Sequence, residues 1–177
     1  MSYTALQIAN AFLERAERDG KKLSNMKLQK LLYFAEGHSH AMRNKRLISD
    51  DAQAWDYGPV YPSVYREFSR FGAGSITALA EDETDPANWF NDDPDYVPSP
   101  VPTPDNADVN RFLDAVWNAY KDKSAIALSE MSHVAGGPWA KARARSPRNS
   151  VINDGEVAEY FKAARQAAQA KKATARA

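Results

Sequence analysis

Two histidines separated by one residue are the first candidates for chemistry in this sequence. His38 and His40 end the stretch "LSNMKLQKLLYFAEGHSH". Side chains two positions apart on a helix point to nearly opposite sides, so these two rings cannot share a metal ion. We expect His38 to lie near the apolar stripe of this helix and His40 to face solvent. The sequence therefore predicts no metal site and no cofactor.

Carboxylates near a histidine are the second candidate, because such pairs act as general acid and base in many enzymes. The candidate acids are Asp50, Asp51 and Asp56. An enzyme would need a deep polar pocket around His38, Asp56 and His133. The set lacks a positioned nucleophile, since Ser132 is expected to return a hydrogen bond to the preceding helical turn. The phosphate-loop, nucleophile-elbow and zinc-protease motifs are absent too, so we predict no catalytic residue and no enzyme activity.

The aromatic stretch "WDYGPVYPSVYREF", which begins at Trp55, raises the question of a contact surface. It places five aromatic rings around a Gly-Pro turn. A helix that starts beside this turn would carry Tyr61, Tyr65 and Phe68 on one face, and such a stripe is usually core. Buried tyrosine needs a partner for its hydroxyl, however, and Tyr, Trp and Arg dominate the energetics of protein interfaces. The stretch therefore predicts a mixture of core and partly hydrated contact surface.

The composition indicates a neutral globular domain. The chain has 177 residues, with 23 Lys and Arg against 23 Asp and Glu, and contains no cysteine. Balanced charge argues against a nonspecific nucleic-acid binder, and the lack of cysteine excludes disulfides and thiolate metal sites. The first residues lack the pattern of a signal peptide, and no apolar run has the length of a membrane span. We expect a single cytoplasmic domain.

Helical periodicity and capping signals divide most of the chain into helices. The first is expected after the capping box of Thr4 and Gln7, and the second, apolar on most of its circumference, after Ser24. Later starts are expected near Tyr61, Val109, Ser124, Pro138 and Asn153. The predicted fold class is mainly α: one compact helical domain of about six or seven helices with a small β hairpin or short sheet near residues 52–58 and 94–98.

Residues 81–106, which we call the acidic segment, differ in composition from the rest of the chain. Acidic residues are dense there, Lys and Arg are absent, and the segment contains six of the ten prolines. This composition predicts a loop or arm of extended polyproline character rather than a packed element, and its charge suits a basic partner. The aromatic residues Trp89, Phe90 and Tyr96 argue against plain disorder.

Nucleic-acid binding is an alternative that the first two helices raise. They could mimic half of a helix-turn-helix motif with lysines along one edge. The second helix is too apolar to lie exposed in a DNA groove, and the total charge is neutral. We therefore expect neither nucleic acid nor membrane as a partner.

Three stretches resemble the motif blocks of the Panacea-domain family of antitoxins, which includes SocA-like and phage-associated GepA-like proteins. They read "LSNMKLQKLLYFAEGHSHA", "LISDDAQAWDYGPVYPSVYREF" and "SAIALSEMSHVAGGPWAKAR". Their order and spacing are also similar to those of the family, from about Thr4 to Arg145. The resemblance implies a Panacea-like antitoxin domain at 1–147, with the acidic segment as an insertion, followed by a C-terminal helix and basic tail at 148–177.

The resemblance implies that the protein is an antitoxin, which binds and neutralises a cognate protein toxin encoded in the adjacent gene. Two modes of action follow from it. The antitoxin could sequester the toxin directly, or it could be a proteolytic adaptor that delivers the toxin to an ATP-dependent protease such as ClpXP. The toxins paired with this domain are diverse, so the family implies neither the identity of the toxin nor the oligomeric state.

The motif blocks also supply candidate site residues. The partner-binding candidates are Lys30, Tyr33, Trp55, Tyr57, Tyr61 and Tyr65. The residues expected to shape the structural motif are Gly58, Pro59, Gly137, Pro138 and Trp139. The residues expected in the core are Leu28, Leu31, Phe34 and Leu128.

Overall fold

The computed structural model describes residues 2–146 and 148–175, and its architecture confirms the mainly α class. The α-helices are α1 (Ala5–Arg18), α2 (Asn25–Arg43), α3 (Pro62–Phe68), α4 (Ala87–Phe90), α5 (Ala107–Tyr120), α6 (Ala125–Ser132), α7 (Pro138–Arg145) and α8 (Asp154–Thr174). The strands are β1 (Gln53–Trp55), β2 (Gly58–Val60) and β3 (Ser150–Val151). All helices except α4, a single turn inside the acidic segment, begin within two residues of the expected starts.

Local capping determines where the helices begin. Thr4 Oγ1 accepts a hydrogen bond from the backbone N–H of Gln7 at 3.2 Å, and Gln7 Oε1 accepts one from the N–H of Thr4 at 3.0 Å. This pair is the predicted capping box of α1. Ser24 and Asn153 cap α2 and α8 by accepting from the N–H three residues further on. Each cap satisfies an N–H that has no partner within its helix.

Helix α2 lies at the centre of the fold. Its apolar stripe is buried, with Leu28 and Leu31 at 0% exposure, and the core prediction is confirmed for all four residues named above. Helix α8 packs closely along α2 at Gly37, where any side chain would collide with the ring of Phe161. No helix in the described part of the chain is both long and apolar enough to span a bilayer.

The small sheet places the aromatic stretch at the surface. Strand β1 pairs antiparallel with β2, with Trp55 opposite Gly58, and with β3 on its other side. The prediction of a strand at 94–98 is wrong, because the third strand is Ser150–Val151 from the connection between α7 and α8. In that connection Ile152 N donates a hydrogen bond to Ala52 O at 2.8 Å, so the backbone at the outer edge of β1 has a partner.

The acidic segment forms a closed loop. At its base, the buried Asn10 Nδ2 donates to Ala80 O at 3.0 Å and to Val101 O at 2.9 Å. Inside the loop, Asn88 Nδ2 donates to Ser99 O at 3.1 Å while Asn88 Oδ1 accepts from Ser99 N at 2.9 Å. Prolines have no N–H to donate, so backbone groups in this segment would lack hydrogen-bond partners, and the amide side chains of Asn10 and Asn88 supply them. The segment is therefore a loop, one of the two predicted forms, but it folds back on itself and does not have the predicted extended character.

Candidate functional site

The turn between β1 and β2 is held through its backbone carbonyls. Trp139 Nε1, from α7, donates to Trp55 O at 2.9 Å, and Ser129 Oγ, from α6, donates to Tyr57 O at 2.9 Å. Two separate helices thus fix the same short turn. Because the carbonyls make these bonds, the Tyr57 side chain is left to the surface, and Trp55 Nε1 donates to Gln53 Oε1 at 3.0 Å beside it.

Lys30 supports the turn from beneath. Its Nζ donates to Pro59 O at 2.9 Å, and the residue is only 1% exposed. Gly58 has φ of +104°, and a Cβ at this position would lie 2.8 Å from both Lys30 Nζ and Ser132 Oγ. Glycine therefore allows the backbone conformation and the close approach of the lysine together. Lys30, a candidate for partner contact, belongs to the support of the turn.

Burial also changes the ionisation of Lys30. The ammonium group loses its hydration in this environment, and burial lowers the pKa of Lys30 from 10.5 to about 7. Among the described residues no carboxylate forms an ion pair with Lys30 that would oppose this effect. The group is therefore held by a carbonyl rather than by an opposite charge.

A pair of amide side chains on α2 fixes α3 beside the turn. Gln29 Oε1 accepts from the backbone N–H of Tyr61 at 2.7 Å, and Asn25 Nδ2 donates to Tyr65 O at 3.1 Å. Gln29 Nε2 donates to Asn25 Oδ1 at 3.1 Å and so links the two amides. Both residues are buried. We did not predict their role from the sequence, although polar residues four apart within an apolar helix are a signal for such a pair.

An open groove, which we call the aromatic groove, lies over these supports and has a volume of about 760 Å³. The side chains that matter here are Met26, Lys30, Trp55, Tyr57, Tyr65 and Arg143. The rings of Trp55 and Tyr65 meet edge to face with centroids 4.8 Å apart. Tyr57 is 75% exposed and Tyr65 is 42% exposed. The groove therefore presents aromatic surface on a fixed backbone.

Charged residues form one rim of the groove. The Arg143 guanidinium lies 2.9 Å from the Asp56 carboxylate and also lies over the Trp139 ring, 5.9 Å from its centroid. Because the Asp56 carboxylate is largely exposed, this ion pair contributes little to stability. Its two charges are available to a polar partner at the edge of the aromatic surface.

Two of the predicted partner-binding residues lie in the core. Tyr61 precedes α3 with extended backbone angles, φ −92° and ψ 109°, and is 1% exposed. Tyr33, on α2, is 2% exposed. The prediction that Tyr61, Tyr65 and Phe68 share one face is wrong, because Tyr61 lies outside the helix. Within α3 the buried face is Val64 and Phe68, and Tyr65 is turned toward the groove.

The histidine predictions are correct in part. His38 Nε2 lies 2.7 Å from the Tyr120 hydroxyl, on the inner side of α2 as expected. The prediction that His40 faces solvent is wrong, because the start of α8 covers it. His40 is 8% exposed, and its Nε2 lies 2.8 Å from Asp154 Oδ1. The two rings do point to different partners, as the helical spacing predicts.

The proposed acid–base set is not assembled in the described residues. The Asp56 carboxylate pairs with Arg143, and both ring nitrogens of His133 face backbone oxygens. Ser132 Oγ donates to Ser129 O at 2.7 Å, which confirms the expected bond to the preceding helical turn. These side chains are therefore engaged in supporting the turn and its surroundings.

The similarity of this chain to known proteins includes the region of the turn between β1 and β2. The family model described as antitoxin SocA-like, Panacea domain, matches residues 28–140. Antitoxin SocA of Caulobacter vibrioides (strain NA1000 / CB15N) is 34% identical over 140 residues, which are 78% of this chain and 69% of that protein. No solved structure matches the chain. The matched range contains both the turn and the side chains that hold it.

Proposed function

The chain belongs to the SocA-like antitoxin family with a Panacea domain, and we propose that it neutralises a cognate protein toxin by binding it in the aromatic groove. The observation that carries this proposal is the turn between β1 and β2. Its backbone is fixed by Trp139, Ser129 and Lys30, while the side chain of Tyr57 is 75% exposed. Such a tyrosine on a fixed backbone suits the recognition of a partner surface.

The energetics of binding favour this arrangement. A partner that orders a flexible loop loses part of its binding energy to conformational entropy, and a turn already held in place avoids that loss. Aromatic residues with a polar edge are frequent hot spots at interfaces. Tyr57 also borders a second depression with Met26 and Ile126, and Ile126 is 67% exposed. The contact surface would thus extend across both sides of Tyr57.

The test is the affinity for the toxin, taken first as the product of the neighbouring gene. Tyr57→Ala should weaken binding by about 2 kcal/mol, or about 30-fold in Kd, if Tyr57 is an anchor. Trp89→Ala is the matched control, because Trp89 is similarly exposed at 62% but lies on the acidic segment. Thermal unfolding of both variants checks that the fold is retained. Equal affinities for Tyr57→Ala and the wild type would refute the groove as the binding site.

Delivery of the toxin to a protease such as ClpXP is the second mode to be tested. An adaptor must bind toxin and protease at once, which requires a second exposed surface. The acidic segment supplies a candidate, because Trp89 and Phe90 are 62% and 79% exposed on a loop rich in carboxylates. In the adaptor mode, Trp89→Ser with Phe90→Ser should lengthen the toxin's lifetime in cells and leave toxin binding intact. A toxin lifetime that the wild-type protein lengthens would instead indicate sequestration.

Binding to DNA is not favoured by the position of α2. A recognition helix has to present side chains to a groove, whereas α2 is buried along most of its length. The basic edge of this region is also engaged, since Lys27 Nζ donates to Lys121 O at 2.6 Å and Lys21 pairs with Asp122 at 2.7 Å.

A further inference from the structure

Three potential metal ligands converge where the end of α2 meets the start of α8. His40 Nε2 lies 2.9 Å from Glu36 Oε1 and 2.8 Å from Asp154 Oδ1. Glu36 and His40 are one turn apart on α2, and Asp154 is the first residue of α8. All three ligand atoms lie within 4.8 Å of one another, and both α2 side chains are buried. The cluster lies toward the C-terminal end of α2, whereas Lys30, which supports the turn, lies in the first half of the same helix.

The hydrogen bonds among these residues leave one buried oxygen without a partner. A neutral imidazole that carries its proton on Nε2 can point this N–H at one acceptor only. In His40 the N–H points at Asp154 Oδ1. Glu36 Oε1 is equally close but lies off that line, so it has no hydrogen-bond partner when the ring is neutral and meets the ring only as an ion pair when the ring is protonated. The Glu36 side chain is 6% exposed, so water does not compensate as it would at the surface. A buried carboxylate oxygen in this position costs free energy unless a positive charge meets it.

Glu36 is firmly oriented toward this point. Its other oxygen, Oε2, accepts from the backbone N–H groups of Leu47 at 3.0 Å and Ile48 at 2.7 Å. Two such bonds fix the plane of the carboxylate, and Oε1 is therefore directed at the histidine. Supporting bonds of this kind orient the ligands in metal sites.

With His40 neutral, no cation among the described residues faces the two carboxylates, because neither lysine nor arginine supplies a charge at this point. Within residues 2–146 and 148–175, no Lys or Arg forms an ion pair with Glu36 or Asp154. The Arg46 guanidinium interacts with Glu36 and Asp154 through its charge but forms no ion pair with either. Arg46 donates to Ile48 O at 2.8 Å, to Asp50 O at 3.0 Å and to the Asp51 carboxylate at 2.6 Å. Its hydrogen bonds are thus directed at other acceptors.

We propose that Glu36, His40 and Asp154 bind one divalent transition-metal ion of the zinc class. One imidazole and two carboxylates suit Zn²⁺, whereas Ca²⁺ and Mg²⁺ prefer shells made of oxygen. Bonds of about 2.1 Å place tetrahedral ligand atoms about 3.4 Å apart, so the cluster would open by about half an ångström to admit the ion. Water would complete the shell. The ion would join α2 to α8 and give Glu36 Oε1 its partner.

The proposed site extends beyond the range of the family match. The family model covers residues 28–140, which include Glu36 and His40 but end before Asp154. The ion would act on the packing of α8 against α2, and it takes no part in the proposed contact with the toxin. The proposal therefore stands or fails independently of the aromatic groove.

The test uses the full chain, stripped of metal with a chelator and then titrated with ZnCl₂. We expect one zinc per chain by isothermal titration and elemental analysis. At free zinc of about 100 times Kd, Tm should rise by about 5 °C or more. MgCl₂ at the same concentration should leave Tm unchanged. His40→Gln and Asp154→Asn should each abolish the stoichiometric binding and the shift in Tm.

The matched control is His38→Gln, which removes an imidazole two residues away that faces Tyr120. This variant should bind zinc as the wild type does. The absence of saturable zinc binding would overturn the proposal. It would also be overturned by equal zinc binding in the wild type and Asp154→Asn, because the metal would then be held elsewhere on the surface. If either ligand variant fails to fold, elemental analysis of the wild type and of the other variant still decides the outcome.

Discussion

Replacing Lys30 by methionine should change how the stability of this protein depends on pH. Lys30 is 1% exposed, and burial lowers its pKa from 10.5 to about 7. Because the folded-state pKa lies below the unfolded value, the unfolded chain binds more protons than the folded one between these two values. The free energy of unfolding therefore rises with pH across this window, and below about pH 7 this group contributes no slope.

The size of the effect follows from the two pKa values. Each pKa unit is worth about 1.4 kcal/mol. Lys30 is half deprotonated in the folded protein at pH 7, so the gain between about pH 7 and about pH 9 is less than two full units. The wild type should gain about 2 kcal/mol over this range relative to Lys30→Met. The variant also leaves Pro59 O without its donor, and because methionine does not titrate, this loss lowers the stability of the variant by the same amount at every pH.

Urea unfolding of both proteins from about pH 6 to about pH 9 measures this difference, since all other titrating groups are shared. Lys22→Met is the matched control, because Lys22 is an exposed lysine beside the start of α2. Its profile should run parallel to that of the wild type. A difference between the wild type and Lys30→Met that stays flat or falls with rising pH would refute the reasoning. It would mean that Lys30 keeps its charge in the folded protein.

Three further predictions concern the backbone and its supports. Gly58→Ala should lower the free energy of unfolding by about 3 kcal/mol, because the new side chain makes the positive φ unfavourable and displaces the buried lysine. Gly20→Ala, where φ is +63° and the new Cβ would meet open space, should cost only about 1 kcal/mol. Equal losses for the two variants in urea unfolding would contradict this prediction. Asn10→Ala should cost about 3 kcal/mol by the same measurement, because it removes two buried hydrogen bonds and one partly buried one. It should also speed proteolysis within the acidic segment, and unchanged cleavage would show that the loop does not depend on Asn10. Gly37→Val should separate α8 from α2 and lower Tm markedly, because the new side chain would overlap the Phe161 ring; an unchanged Tm would mean that the helices can move apart without loss.

Much of the helical framework could be predicted because its signals are local. The caps at Thr4, Ser24, Ser124 and Asn153 each bond to an N–H three residues away. Prolines at the start of α3 and α7 act over a similarly short distance. The apolar stripe of α2 is equally visible, since its period follows from the geometry of the helix alone.

The prediction of the contact surface was less complete, because the difference between Tyr61 and Tyr65 depends on where α3 begins. The spacing of four suggested a shared face. Tyr61 precedes the first helical residue, so its extended backbone turns the ring into the core, while Tyr65 lies within the helix and borders the groove. A shift of a single residue in the start of a helix therefore decides which tyrosine a partner can reach.

The sequence by itself determined the mainly α class, the helix starts and the family, because all three depend on patterns within short stretches. The tertiary structure decided which groups meet across long separations. Trp139 reaches the turn from 84 residues away, and Asp154 meets His40 from 114 residues away. Strand β3, rather than residues 94–98, completes the sheet. The physical reason is that burial and charge pairing depend on the neighbours in space, and these are fixed only when the helices pack around α2.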